Sequence, residues 1–285
     1  MSQNWYLFNK SRNKMDDDTP STSTVQSDNL SAIERFVREV IGNLKDAWLN
    51  RNKPVKGLFS FFDLIGEDKM NFINNVKLHE LQGTYSKICE DPEKISRIFL
   101  DHNPADLFNP EKLLRILIIR DENTKGLIGP EWMSPEYIGQ DDLRFLGLCR
   151  SIGKNSQSTN QDSIGSWGYG KSVIWSNNIS RSVLFNSMLS EPWDENGTEI
   201  NNRFIGHTMV PDFFNEEVSA TSGEIYFGDQ KNEDIDEVTS LWNNEAIEFG
   251  AGIGVSDFEL ENPGTAIMII GFEPNDGDEY DTETI

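Results

Sequence analysis

A chain of 285 residues with 36% hydrophobic residues, seven Trp and seventeen Phe can bury a core, which excludes global disorder. Its formal net charge of -23 repels nucleic-acid phosphate at long range, so direct nucleic-acid binding by this chain alone is disfavoured, while basic partners or Mg2+ suit it. No apolar run approaches the roughly 20 residues of a membrane span, and no signal peptide is legible. Cys89 and Cys149 lie far apart, and with the scattered His79, His102 and His207 they form no metal-ligand spacing. The expectation is a cytoplasmic protein with reduced thiols and no membrane contact.

Residues 1–28 read as an N-terminal arm and linker. Trp5, Tyr6, Leu7 and Phe8 pack as an edge strand on this chain or on a second copy, or else belong to a disordered tail. The stretch 16–29 is rich in Asp, Ser and Thr, as a linker is. From Leu30 to Leu49 the apolar residues Ile33, Phe36, Val37, Val40, Ile41, Leu44 and Trp48 recur at three- and four-residue steps, the stripe of a helix facing a core. Ser31 and Glu34 have the spacing of a capping box, with Asn29 or Asp28 as alternative caps. At about 100° per residue, Glu39, Asn43 and Asp46 fall within roughly 60° of one another, beside the apolar arc. Such residues ordinarily form a solvated edge. The functional alternative is a carboxylate, an amide and a second carboxylate projecting from one partly buried rim.

Leu58, Phe59, Phe61, Phe62, Leu64 and Ile65 make Gly57–Glu67 a dense apolar cluster, predicted as a buried turn-and-strand or a short helix. Helices are expected over Phe72–Ile88, Pro92–Leu100 and Asp141–Ser151. Leu113 to Ile119 is a short, nearly continuous apolar run, which favours a buried strand. It stops at Arg120-Asp121, followed by a loop from Glu122 to Pro130. An acid at the end of a buried strand is well sited for a ligand; capping a turn is the equal alternative.

The polar stretch 153–163 reads as a lid or binding loop, with Lys154 either reaching a ligand phosphate or exposed to solvent. It leads into Gly165, Gly168, Gly170 and Lys171. Glycines at this spacing let backbone N–H groups approach a phosphate. Lys171 lacks the spacing and preceding strand of a Walker lysine. Helix or strand is expected over 172–176, strand over 182–189 and 203–214 with a break at Pro211, and helix late in 231–247. Gly254–Glu259 is a turn region. Gly264-Thr265 enters a second buried strand, Ala266–Ile270, and residues 274–285 read as an acidic tail or the start of a linker.

Taken in order, Glu39xxxAsn43xxAsp46, Asp121 with Gly126, Gly165xxGly168xGly170 and Gly264-Thr265 resemble the motifs of the GHKL ATPase superfamily. That superfamily includes DNA gyrase B subunits, MutL, ninety-kilodalton heat-shock chaperones, MORC proteins and histidine kinases. The resemblance covers about residues 30–272. It implies an α/β (α+β) two-layer sandwich of Bergerat type over 29–273, with a mixed, mostly antiparallel sheet and helices on one face.

By that resemblance, Glu39 activates water for ATP hydrolysis, Asn43 binds Mg2+, and Asp46 positions the nucleotide. Asp121 takes the adenine amino group, Gly126 is the one glycine of that motif that fits, and Leu127 and Gly129 take over the packing under the base. The glycine loop with Lys154 and Lys171 holds phosphates, and Thr265 supports Asp121. The implied activity is a slow Mg-dependent ATPase that acts as a conformational or dimerisation switch. Its partner is a second copy or an effector chain. The pattern DxxTxGLxGP looks closest to members from bacterial restriction-like and phage-defence systems. Asp121 departs from the family's Asp-x-Gly-x-Gly, because four residues precede Gly126. A nucleotide sensor without hydrolysis and an acidic protein-interaction module are the alternatives.

Overall fold

Period-two alternation splits strand side chains between two separate cores. The computed structural model describes residues 3–8, 31–50, 52–99, 102–140, 143–150, 173–214, 220–230 and 237–273. In chain order the elements are β1 (Gln3–Tyr6), α1 (Ala32–Asp46), β2 (Lys56–Leu64), α2 (Gly66–Asn75), α3 (Gln82–Cys89), α4 (Pro92–Phe99), β3 (Leu114–Glu122) and α5 (Val173–Ser176). There follow β4 (Asn178–Glu195), β5 (Thr198–Met209), β6 (Phe213–Phe214), β7 (Ala220–Thr221), β8 (Glu224–Asp229), β9 (Leu241–Trp242), α6 (Asn244–Gly252) and β10 (Gly264–Phe272). An eight-stranded sheet runs β1-β8-β5-β4-β10-β3-β2, with β9 attached to β5. Every pairing in it is antiparallel, so the expected mixed sheet is antiparallel throughout the described residues.

On β3, Ile116 and Ile118 join one core while Leu117 and Ile119 join the other. β10 does the same with Met268 and Ile270 against Ile269. The first core takes its cover from Phe72, Ile73 and Val76 of α2 and its C-cap, Tyr85 and Ile88 of α3, and Ala246 of α6. The second takes Phe36, Val40 and Leu44 of α1, with Ile174 and Trp175 of α5. Helices therefore cover both faces, not one as the family resemblance implies. The physical reason lies in the central strands, which are apolar on both sides and need cover on both. None of the described helices is long and apolar enough to cross a membrane.

α1 begins at a complete capping box. Ser31 Oγ accepts from the Glu34 N–H at 3.2 Å, and the Ser31 N–H donates to Glu34 Oε2 at 2.8 Å. The helix expected over 72–88 is instead α2, a 3-10 turn at Leu78–Leu81 and α3, separated where Lys77 adopts φ 55°. Lys69 of α2 is buried and donates to the carbonyls of Asp106 (2.8 Å), Asn109 (2.8 Å) and Lys112 (3.0 Å). It closes the loop that feeds β3.

Gly57–Glu67 contains the strand β2, but at the edge of the sheet and largely exposed, which corrects the expectation of a buried segment. The aromatic arm is an edge strand on this chain: β1 pairs with β8, and Trp5 is buried. Cys89 and Cys149 form no disulfide.

Candidate functional site

Asp121 ends the run of Leu117 and Ile119 on the α1 side of the sheet, and the same alternation puts Thr265 of β10 and Ser187 of β4 beside it. Thr265 and Ser187 are direct register partners. The Thr265 N–H donates to Asp121 Oδ1 at 2.9 Å, and the Thr124 hydroxyl donates to the same oxygen. Ser187 Oγ accepts from the Leu127 N–H at 2.8 Å and donates to the Gly264 carbonyl at 2.9 Å. Three adjacent strands thus carry one polar row across an otherwise apolar face.

Two glycines make this row possible. Gly126 has φ +71°, and a Cβ there would lie 2.5 Å from the Met188 carbonyl oxygen. At Gly264 a Cβ would lie 2.1 Å from the Asp121 carbonyl oxygen, so β10 can approach the end of β3 only without a side chain.

Asp121 and Thr265 of this row line one wall of a cavity of about 280 Å³. Val40, Asn43, Leu44 and Asp46 of α1 form the facing wall, and Ile119 and Ile267 contribute the apolar floor. Arg144 closes one side and donates from Nη2 to the Asp46 carbonyl. Asp121 is 8% exposed. Burial pushes its carboxyl up to about 6, against the opposing pull of the Thr124 hydroxyl, the Thr265 N–H and Arg144.

Five residues singled out by spacing or by the family resemblance meet at this cavity: Asn43, Asp46, Asp121, Gly126 and Thr265. Glu39 is half-buried one turn before Asn43 and does not line the cavity wall. Lys154, Gly165, Gly168, Gly170 and Lys171 lie outside the described residues.

Arg144 and Ser187 are contributors that spacing did not single out, while Thr124 and Gly264 stood inside the sequence motifs without a role of their own. Asn186 and Ser187 did leave a trace, since they interrupt the apolar strand SVLFNSML. No group of three or more His, Cys, Asp or Glu able to hold a metal occurs among the described residues.

Next to the cavity, the loop after Gly126 is anchored by a buried ionic cluster that sequence spacing gave no means of seeing. Glu131 is 1% exposed. It accepts from the Ser240 N–H at 3.1 Å and from Trp242 Nε1 at 2.9 Å, with Arg150 Nη2 at 3.3 Å and Arg203 Nη1 at 3.6 Å. Burial pushes its carboxyl up, but the two arginines and the Ser240 and Trp242 donors outweigh that and hold it below its ordinary value. Arg203 Nη2 also donates to the Gly129 carbonyl at 2.6 Å. The cluster therefore ties the 127–131 loop to β5 and to the residues entering β9.

No protein-family model, no curated protein and no solved structure matches this chain.

Proposed function

We propose that the cavity between α1 and the β3–β10 row binds the adenine end of ATP, and that the chain is a Mg-dependent nucleotide switch of GHKL type. The observation that carries this reading is the placement of Asp121. Among the described residues both of its donors use Oδ1, which leaves Oδ2 for a donor brought by the ligand. An adenine amino group is such a donor, and the floor of Ile119 and Ile267 suits the flat apolar face of a purine. Asn43 supplies an amide oxygen at the cavity. That fits Mg2+, which keeps several waters and takes one or two protein oxygens beside phosphate oxygens, without a dedicated protein cage. The ion, when bound, neutralises phosphate charge. Asp46, on the same wall, positions the nucleotide.

Glu39 is the proposed base for hydrolysis, orienting and deprotonating water. Its place outside the cavity wall favours a second reading, a nucleotide sensor that binds ATP with negligible turnover. Glu39→Ala separates the two. A wild type that hydrolyses ATP and a variant that only binds it support the ATPase. Binding without turnover in both supports the sensor.

Calorimetric titration of ATP and ADP in Mg2+ tests the site itself. Asp121→Asn keeps an oxygen for Thr265 but turns an N–H2 toward the ligand's own donor, so affinity falls roughly 10- to 100-fold, the cost of a buried unsatisfied donor. Wild-type affinity is flat above about pH 6 and falls below it, because protonation of Asp121 competes with the donor that favours its ionised form. Unchanged affinity in Asp121→Asn, or no binding by the wild type, sinks the proposal.

A further inference from the structure

The two edges of the sheet are finished differently. At β1 the outer main-chain groups are blocked by side chains: the Trp5 N–H donates to Glu80 Oε2 at 3.0 Å, and Lys77 Nζ donates to the Gln3 carbonyl. At the other edge, no strand pairs beyond β2 among the described residues. β2 runs nine residues in unbroken register with β3, without proline or bulge.

Leu58, Phe59 and Phe61 are 38%, 37% and 37% exposed, on both faces of this strand. Its charges are used inside the chain: Lys56 lies 3.5 Å from Glu122, and Asp63 takes Arg115 through two contacts of 2.8 and 3.0 Å. Among the described residues this edge has neither proline nor bulge, and its two charges, Lys56 and Asp63, stand toward the ends of the strand and leave its middle apolar. α1 extends the apolar surface. Val37 and Ile41 are 45% and 49% exposed, on the flank of the Phe36–Val40–Leu44 row opposite Asn43 and Asp46. Leu44 in turn lies 3.3 Å from where a Cβ of Gly57 would stand, so that flank overlooks β2.

We propose that β2 is the interface between two copies of this chain, paired antiparallel across a two-fold axis at Ser60. The strand itself argues for this occupant. An isologous antiparallel pair keeps each side chain on its own face, so opposite residue numbers must sum to an even value. The register centred on Ser60 meets that condition and overlaps all nine residues of β2. It sets Phe59 opposite the partner's Phe61 on the α1 side and Leu58 opposite the partner's Phe62 on the other. Small Ser60 sits on the axis. Lys56 faces the partner's Leu64 and Gly57 the partner's Asp63, so no like charges meet. A strand and one helix flank fall short of the roughly 20–30 residues a side of a standard interface, so the dimer is weak. The charge of -23 on each copy opposes it, so added salt strengthens it. Nothing in this inference depends on the nucleotide reading.

Sedimentation equilibrium of the whole chain over a concentration series, in low and high salt, tests it. The expected result is a monomer–dimer equilibrium that shifts toward dimer in high salt. Phe59→Lys with Phe61→Lys weakens it at least tenfold, with circular dichroism confirming the fold. Should that variant not fold, Ser60→Cys in a Cys89→Ser background decides. Residues directly opposite in an antiparallel pair have Cα atoms about 4.5–5.5 Å apart, within disulfide reach. Mild oxidation then links two chains through Ser60→Cys and not through Ser86→Cys, an exposed position on α3. A monomer under every condition overturns the proposal. So does a dimer indifferent to the Phe59 and Phe61 changes, or equal cross-linking at the two cysteine positions.

Discussion

Ile118 and Ile119 are neighbours in sequence and sit on opposite sides of one sheet, in environments with different tasks. Ile118 faces the core under α2, α3 and α6, which is sealed: its neighbours Ile116, Met268 and Ile270 are almost fully buried, and the one buried lysine there, Lys69, is saturated by three carbonyls. Ile119 faces α1 and lines a cavity. The sealed side carries packing energy. The α1 side leaves room and spends buried polar groups, Asp121, Ser187 and Thr265, on shaping it. The contrast teaches that one strand can serve stability and binding at once, because alternation keeps the two jobs on separate faces.

The largest expected effect tests that division directly. Ile118→Ala opens a void in a closed core and costs about 4 kcal/mol, transfer loss plus cavity. Ile119→Ala enlarges a space that already exists and costs about 2 kcal/mol, close to the transfer loss alone. Urea unfolding of the two variants measures the gap; equal losses would erase the distinction between the faces.

The next effect has the opposite sign. The Asp121 carboxyl titrates at about 6 in the fold against an ordinary 3.8, so its ionised form is disfavoured by the folded state. The stabilisation that protonation brings is fully present below 3.8 and lost as pH rises through about 6, which sets a ceiling of roughly 3 kcal/mol at neutral pH. Asp121→Asn is therefore as stable as the wild type or more so at pH 7.5, and its advantage disappears below pH 4. Thermal melts across that range check it, and a large loss of stability in the variant at pH 7.5 would contradict the account.

The smallest effect is Ser31→Ala, which removes half of the capping box of α1 and costs about 1 kcal/mol. Its melting temperature drops while nucleotide affinity, once measured for the wild type, stays unchanged. A loss of affinity would show that the position of α1 is set from its N-terminus rather than by its contacts with β3 and β10.

Local pattern determined a good deal of this protein. The α1 stripe, its capping box, the apolar runs of β3 and β10, and the shared rim of Asn43 and Asp46 follow from spacing alone, because helical and strand periods are local. The choice of Asp121 follows from its place at the end of a buried strand, and that of Thr265 from the family resemblance. What spacing could not supply is depth and partnership. It marked β2 as buried because its residues are apolar, and only the strand order put it at an edge. It had no means of pairing Glu131 with Arg150 and Arg203, which meet by long-range folding. Nor could it say that helices cover both faces, since a sheet's cover depends on which helices return to which side. The row of Asp121, Thr265 and Ser187 is the clearest case. Asp121 and Thr265 are legible at the ends of their own strands and Ser187 only as a polar break inside β4, but a row exists only because β3, β10 and β4 are neighbours in register, and that is a property of the tertiary structure.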